Sequence, residues 1–153
     1  MSELILGAGG MLARGLAALR PQATALGVAE LDVTDAAALA RVIVPGVSVV
    51  WSAAADTRVD NCESDPGHVA VNDVAVGVIA RLCREAGALL VHVSTDYVFD
   101  GKPGRPWRED DPVDPVNAYG RGKLGGERRA LASGAEVLVV RTSWVFAPGG
   151  VNF

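Results

Sequence analysis

Short apolar runs alternate with longer amphipathic stretches along this chain. "ELIL" (3–6), "ATALGV" (23–28), "VSVVWSAAA" (47–55), "ALLVHVS" (88–94) and "AEVLVVRTS" (135–143) are mainly apolar runs of strand length. Between them lie segments of helical character. Residues 11–20 are stopped by Pro21, and an Ala/Leu segment follows Thr34 or Asp35, either of which suits an N-cap. A long helix is predicted over roughly 65–86, with Pro66 near its first turn and Gly87 near its end. Strands without polar alternation are buried on both faces, and the spacers are long enough for crossover helices. The pattern therefore predicts an α/β fold, a doubly wound parallel sheet in three layers, with residues 1–153 forming a single domain. The irregular stretch is 100–116, "DGKPGRPWREDDPVDPV", a proline-rich acidic loop of a length that is usually functional or disordered.

Composition narrows the function classes. A net charge of −4 in 153 residues offers no basic surface for a nucleic-acid backbone. No run approaches the roughly 18 apolar residues of a membrane span. The start, "MSELILGAGG", reads as strand and turn rather than signal peptide. Cys62 and Cys83 lack metal-ligand spacing, so no metal is expected, and free thiols in a reducing cytoplasm are the simplest reading. With 5% aromatic residues, the core must rest on Ala, Val and Leu.

Chemistry enters at the first turn, "LILGAGGMLA". Gly7, Gly10 and Ala13 are spaced G-x-x-G-x-x-A, with Gly9 as an extra. Without side chains at Gly7 and Gly10 the backbone can turn tightly and approach a pyrophosphate, and the helix N-terminus offers free N–H groups. A small residue at Ala13 lets helix and sheet pack closely. Following an amino-terminal strand, this pattern predicts a Rossmann-like NAD(P)-binding domain. Glu30 and Asp32 are the acids after the second strand, and Asp32 with Val33 is expected to flank the adenine. No basic residue follows that strand, which leans towards NADH, with NADPH left open.

In "NAYGRGKLGGE", Tyr119 and Lys123 stand four residues apart, on one face of a predicted helix. A free phenol near pH 10 is a poor catalyst at neutral pH, and lowering it by about three units requires roughly 4 kcal/mol. One ammonium about 4 Å away at an effective dielectric near 20 supplies about that much. A tyrosine so tuned can donate a proton to a carbonyl that receives hydride. Upstream, the fourth strand ends in "HVSTDYVFDG", a cluster of hydroxyls, acid and aromatic that strand formation does not need.

Together the glycine turn, "AAADTRVDNCESDPGHVAVN", "STDYVFDG", "YGRGKLGGE" and "RTSWVFAPGGVNF" resemble the dTDP-4-dehydrorhamnose reductase family of extended short-chain dehydrogenase/reductases. The resemblance implies reduction of the 4-keto group of a dTDP-linked deoxysugar by NADPH or NADH. It makes Tyr119 the proton donor, Lys123 the residue that binds the nicotinamide ribose and tunes Tyr119, and Thr95 the hydrogen-bond donor to the reacting oxygen. Asp96 and Trp144 would lie against the sugar. Gly7, Gly9, Gly10, Met11 and Leu12 would face the pyrophosphate, Asp32 and Val33 the adenosine, and Ala54 and Ala55 would leave room for the cofactor. A homodimer is left open.

The chain departs from the family in three places. Gly122 stands where Ser or Thr precedes the lysine, giving this helix four glycines with Gly120, Gly125 and Gly126; packing against the sheet must hold it. Asn61 and Cys62 replace a commoner basic and small residue. The length is about half the family's, so the carboxyl-terminal substrate lobe is expected to be largely missing, and the end at Phe153 reads as a truncation. Two other functions follow from the same residues: a nucleotide-sugar epimerase or dehydratase, and a non-catalytic NAD(P)-binding regulatory subunit. Tyr97 follows Asp96 where a dehydratase would carry Glu, which counts against the first. The intact Thr95–Tyr119–Lys123 set counts against the second. The remaining residues are expected to be structural: His92 and Trp51 in the core, His68 on a solvated helix face, Trp107 as lid or loop anchor, and acids 109–111 in solvent.

Overall fold

The computed structural model of the chain describes residues 2–102 and 104–147. Five strands, β1 (Ser2–Leu6), β2 (Thr24–Leu26), β3 (Val47–Ser52), β4 (Leu89–Thr95) and β5 (Val137–Thr142), form one sheet in the order β2-β1-β3-β4-β5. All four pairings are parallel. The helices are α1 (Met11–Leu19), α2 (Ala36–Val42), α3 (Val59–Cys62), α4 (Ala75–Ala86) and α5 (Ala118–Ala132). Chain order reverses between β1 and β3, which opens a crevice at the carboxyl ends of those strands, where doubly wound folds bind ligands.

Alternation along the strands divides the core between two faces. Leu4, Leu6, Val50 and Leu90 form one cluster with Leu39 of α2 and Val76, Ile79, Ala80 and Cys83 of α4. Ile5 points the other way, in register with Trp51, while the Arg20 guanidinium at the end of α1 lies 5.2 Å from the Trp51 ring. Trp51 is only half buried and donates through Nε1 to Glu3 at 2.8 Å, so it closes the sheet's flank rather than the centre of the core.

The long helix expected over 65–86 runs unbroken from residue 68 to Ala86, with one π-helical turn inside it. After α3 the chain turns, and a π-helical turn (Ala70–Val74) leads into α4. The widened turn sits where α5 comes closest. A Cβ on Gly126 would strike the Asn72 carbonyl, and one on Gly125 the Asp73 carboxylate at 2.6 Å. Gly122, Gly125 and Gly126 are thus the packing face against the π-helical turn and His68, while Gly120 faces the Tyr97 carbonyl. Their cost in helix propensity, up to about 1 kcal/mol each, is offset by the close approach. Asp35, of the two cap candidates, accepts from the N–H groups of Ala37 and Ala38.

The proline-rich loop is tied down. Trp107 stacks on Phe99 at 4.2 Å, with both packed beside Val98, Leu124 and Val113, so Trp107 anchors the loop. Asp111 is not a solvated acid: Arg105 binds both its oxygens, at 2.6 and 2.8 Å, and Arg108 N donates to it at 2.8 Å. These bonds draw its carboxyl down to about 2. No helix among the described residues is long and apolar enough to cross a membrane.

Candidate functional site

A cleft of about 1010 Å³ lies along the carboxyl ends of β1, β3 and β4. That is the upper end of the roughly 300–1,000 Å³ range of small-molecule sites. Gly7, Gly9, Gly10, Met11, Leu12, Asp32, Val33, Ala54, Ala55, Thr95, Asp96, Tyr119, Lys123 and Trp144 all line it. Six separate segments expected to act together therefore meet in one place.

The glycine turn is built from backbone constraints. Gly7 has φ +90, and a Cβ there would lie 2.6 Å from the Ala54 nitrogen. Only glycine allows the β1 and β3 ends to approach so closely. Gly10 is the N-cap of α1 and supplies no side-chain cap. A Cβ on Gly9 would meet nothing within 4 Å. The arrangement leaves an open cradle over the positive end of a helix. Asp32 accepts from the backbone N–H and hydroxyl of Thr34 at 2.8 and 2.7 Å, which holds its carboxyl below the usual range. Glu30 caps Gly27 N at 2.9 Å.

The strand-3 side of the cradle is clamped by a residue that sequence patterns did not single out. Asn72 is fully buried in the π-helical turn. Its amide accepts from Asp56 N and donates to Asp56 O, both at 2.9 Å. It thereby fixes the segment after Ala54 and Ala55. The readable signal was a lone Asn inside an apolar helical run, where its amide would have to find backbone partners.

At the other end, the 3₁₀ turn Asp96–Val98 follows β4, capped by Thr95, whose Oγ1 accepts from Tyr97 N at 3.2 Å. Thr95 also donates to Asp96 at 3.2 Å, and Ser143 donates to the other Asp96 oxygen at 2.8 Å. Asn117 caps α5 by accepting from Gly120 N, which sets the helix phase that brings Tyr119 and Lys123 to the cleft. Tyr97 packs edge-on against Tyr119, with ring centroids 5.7 Å apart. Trp144 lies over the cleft mouth, 72% exposed, in a left-handed backbone conformation (φ 48).

Electrostatics corrects one expectation. Burial pushes the Tyr119 phenol above its ordinary value, a hydrogen bond with the Thr95 hydroxyl draws it down, and Cys62, Asp96 and Tyr97 push it up. Lys123 donates through Nζ to the Val93 carbonyl at 2.8 Å, and burial brings its ammonium down to about 8, against Glu127. The phenol is therefore not lowered in this arrangement, because the ammonium is directed at the strand end. His68 is a second correction. It is buried, not solvated, and its Nδ1 has no hydrogen-bond partner among the described residues. A Cβ on Gly122 would lie 2.9 Å from that nitrogen, so the glycine in place of Ser or Thr makes room for the ring. Ser94 Oγ is likewise buried without a partner among the described residues, while its carbonyl accepts from Thr142 at 3.1 Å. Cys62 and Cys83 are buried and free, and burial pushes both thiols up, Cys83 to about 12. The part of "RTSWVFAPGGVNF" from residue 148 on, including Phe153, lies outside the described residues.

A family model described as the RmlD substrate binding domain matches residues 1–153. The chain belongs to that family. It is similar to the dTDP-4-dehydrorhamnose reductase of Streptomyces griseus, with 44% identity over 98% of this chain and 52% of that protein. A crystal structure of a dTDP-4-dehydrorhamnose reductase from Clostridium acetobutylicum matches at TM-score 0.93 and 34% identity, over 98% of this chain and 56% of that one. The reductase of Bacillus anthracis, crystallised in complex with NADP, matches at TM-score 0.88 and 28% identity, over 95% and 54%. This RmlD-family chain spans about half the length of the curated relatives it matches.

Proposed function

We propose that this chain is the dinucleotide-holding part of an NAD(P)H-dependent reductase that acts on the 4-keto group of a dTDP-linked deoxysugar. The observation that carries the reading is convergence. An open glycine cradle at a helix N-terminus shares one cleft with the Tyr119–Lys123 pair and Thr95. The cradle suits a pyrophosphate, since the backbone at Gly7, Gly9, Gly10, Met11 and Leu12 presents no side chain at its narrowest points and the helix end favours negative charge. Asp32 and Val33 would hold the adenosine, and Ala54 and Ala55 leave space between the two ends. The NADP complex of the Bacillus anthracis relative supports NADPH alongside NADH.

When bound, the reduced nicotinamide supplies hydride to the carbonyl carbon. Tyr119 delivers a proton to the carbonyl oxygen, and Thr95 holds that oxygen by a hydrogen bond. Lys123 would hold the nicotinamide ribose, with its ammonium directed at the Val93 carbonyl at the end of β4. Asp96 and Trp144 would contact the sugar. Buried free thiols at Cys62 and Cys83 support a reducing, cytoplasmic setting.

The test is a chimera joining this chain to the carboxyl-terminal half of the Streptomyces griseus relative. With NADPH it should reduce dTDP-4-dehydrorhamnose, and Tyr119→Phe should lower kcat by about 10²–10⁴-fold while dinucleotide affinity stays nearly unchanged. Full activity in the Tyr119→Phe chimera would remove Tyr119 as proton donor.

A further inference from the structure

Below the tyrosine–lysine pair, α5 carries another ionisable residue. Glu127 lies four residues past Lys123, as Lys123 lies four past Tyr119, so the three side chains follow one helix face. Lys123 is 2% exposed and Glu127 1%. A carboxylate so enclosed costs several kcal/mol unless it is paired and hydrogen-bonded. Its partner comes from β5: Arg141 donates through Nε to Oε1 at 3.0 Å and through Nη2 to Oε2 at 2.7 Å. Arg141 is itself fixed, with its guanidinium 4.9 Å from the Phe99 ring and Nη1 donating to the Glu109 carbonyl at 3.3 Å.

The two ends of this ion pair meet different surroundings. The Arg141 side chain is 23% exposed, that of Glu127 2%. Water screens the cation more than the anion, so the negative end dominates the field inside the protein. Other charged and titratable groups surround Lys123. His92 projects from β4, close enough for Lys123 to act against its protonation. Tyr119 lies one helical turn away on α5, with Cys62 of α3 and Asp96 and Tyr97 of the 3₁₀ turn beside it. His68 faces the helix at Gly122, and Asp73 of the π-helical turn is bound by Arg129. Asp96 is engaged by the Thr95 and Ser143 hydroxyls. Glu127 is the anion on Lys123's own face.

We propose that Glu127, fixed by Arg141, is a positioning residue that keeps the Lys123 ammonium charged at the end of β4. Burial lowers the lysine and Glu127 acts against that lowering. The consequence for catalysis rests on the reductase reading, but the charge state is measured without cofactor or substrate.

The chain holds two lysines, Lys102 and Lys123. In a Lys102→Arg background, ¹³Cε-lysine NMR follows Lys123 alone, with an expected midpoint of about 8. Glu127→Gln should lower that midpoint by roughly one unit. Arg141→Gln breaks the same ion pair but leaves the carboxylate, so the midpoint should hold or rise. A purely structural role would move both variants the same way. An unchanged midpoint in Glu127→Gln, or an equal fall in both variants, overturns the proposal. Should Glu127→Gln not fold, the Glu127→Gln/Arg141→Met double variant replaces the whole pair, and the same fall or its absence decides. If dinucleotide binding fails while the midpoint shifts, the reductase reading fails and the lysine–glutamate coupling stands.

Discussion

His92 sits fully buried in β4, its Nδ1 3.4 Å from the Ser52 hydroxyl and its Nε2 without a hydrogen-bond partner among the described residues. A proton placed there would be poorly solvated, so burial, and then Lys123, draws the ring down to about 3. The unfolded chain titrates the same ring near 6.5, so between these values the unfolded state binds the extra proton. Stability should therefore fall as pH drops from about 6.5 towards 3, by about 4–5 kcal/mol over the whole window. Urea melts at pH 7, 5 and 4 should show this fall, and His92→Leu should flatten it; equal slopes in the two proteins would contradict the assignment. Lys123 works in the opposite window. Its folded value near 8 lies below the ordinary 10.5, so the unfolded chain holds the proton longer and stability should rise between about pH 8 and 10. Lys123→Met should lose that rise in the same melts. At this scale the sequence was readable where chemistry is local. Tyr119 and Lys123 announce themselves by a four-residue spacing, and Thr95 by its place at a strand end. His68, Asn72 and the Glu127–Arg141 pair did not, because their partners lie 14 or more residues away and only the folded chain brings them together.

Among the elements, α5 shows most clearly what sequence propensity omits. Four glycines in fifteen residues read as a weak helix, yet three of them meet the π-helical turn or the His68 segment at distances no Cβ allows. An Ala at Gly126 would press on the Asn72 backbone, which cannot move aside, so Gly126→Ala should destabilise by about 1–3 kcal/mol. Gly15 in α1 has open space where its Cβ would be, and Gly15→Ala should stabilise by about 0.5–1 kcal/mol. Thermal melts of the two variants should move in opposite directions; a stabilised Gly126→Ala would refute the packing account. The five strands were legible as apolar runs, with ends accurate to a few residues. The π-helical widening within the helix expected over 65–86 was not, because it lies where Gly125 and Gly126 of α5 press against that segment, a contact that local sequence does not announce.

For the molecule as a whole, the reversal of chain order between β1 and β3 gathers residues from positions 7 to 144 around one cleft. Trp144, 72% exposed, lines that cleft. The glycine turn, the Thr95 cap and the α5 face are complete within this chain, so dinucleotide binding should not need the further length of the relatives. The central claim is that the open turn at Gly9 receives the pyrophosphate over the N-terminus of α1. Calorimetric titration of the chain with NADPH and NADH, beside Gly9→Asp, tests it most directly. Gly9 has free space for a side chain, so the variant should fold with an unchanged melting temperature, while its carboxylate should weaken binding at least about tenfold. Binding by the parent chain and its loss in Gly9→Asp is the predicted result. A folded parent that binds neither dinucleotide, or a Gly9→Asp variant that binds as tightly as the parent, would contradict it.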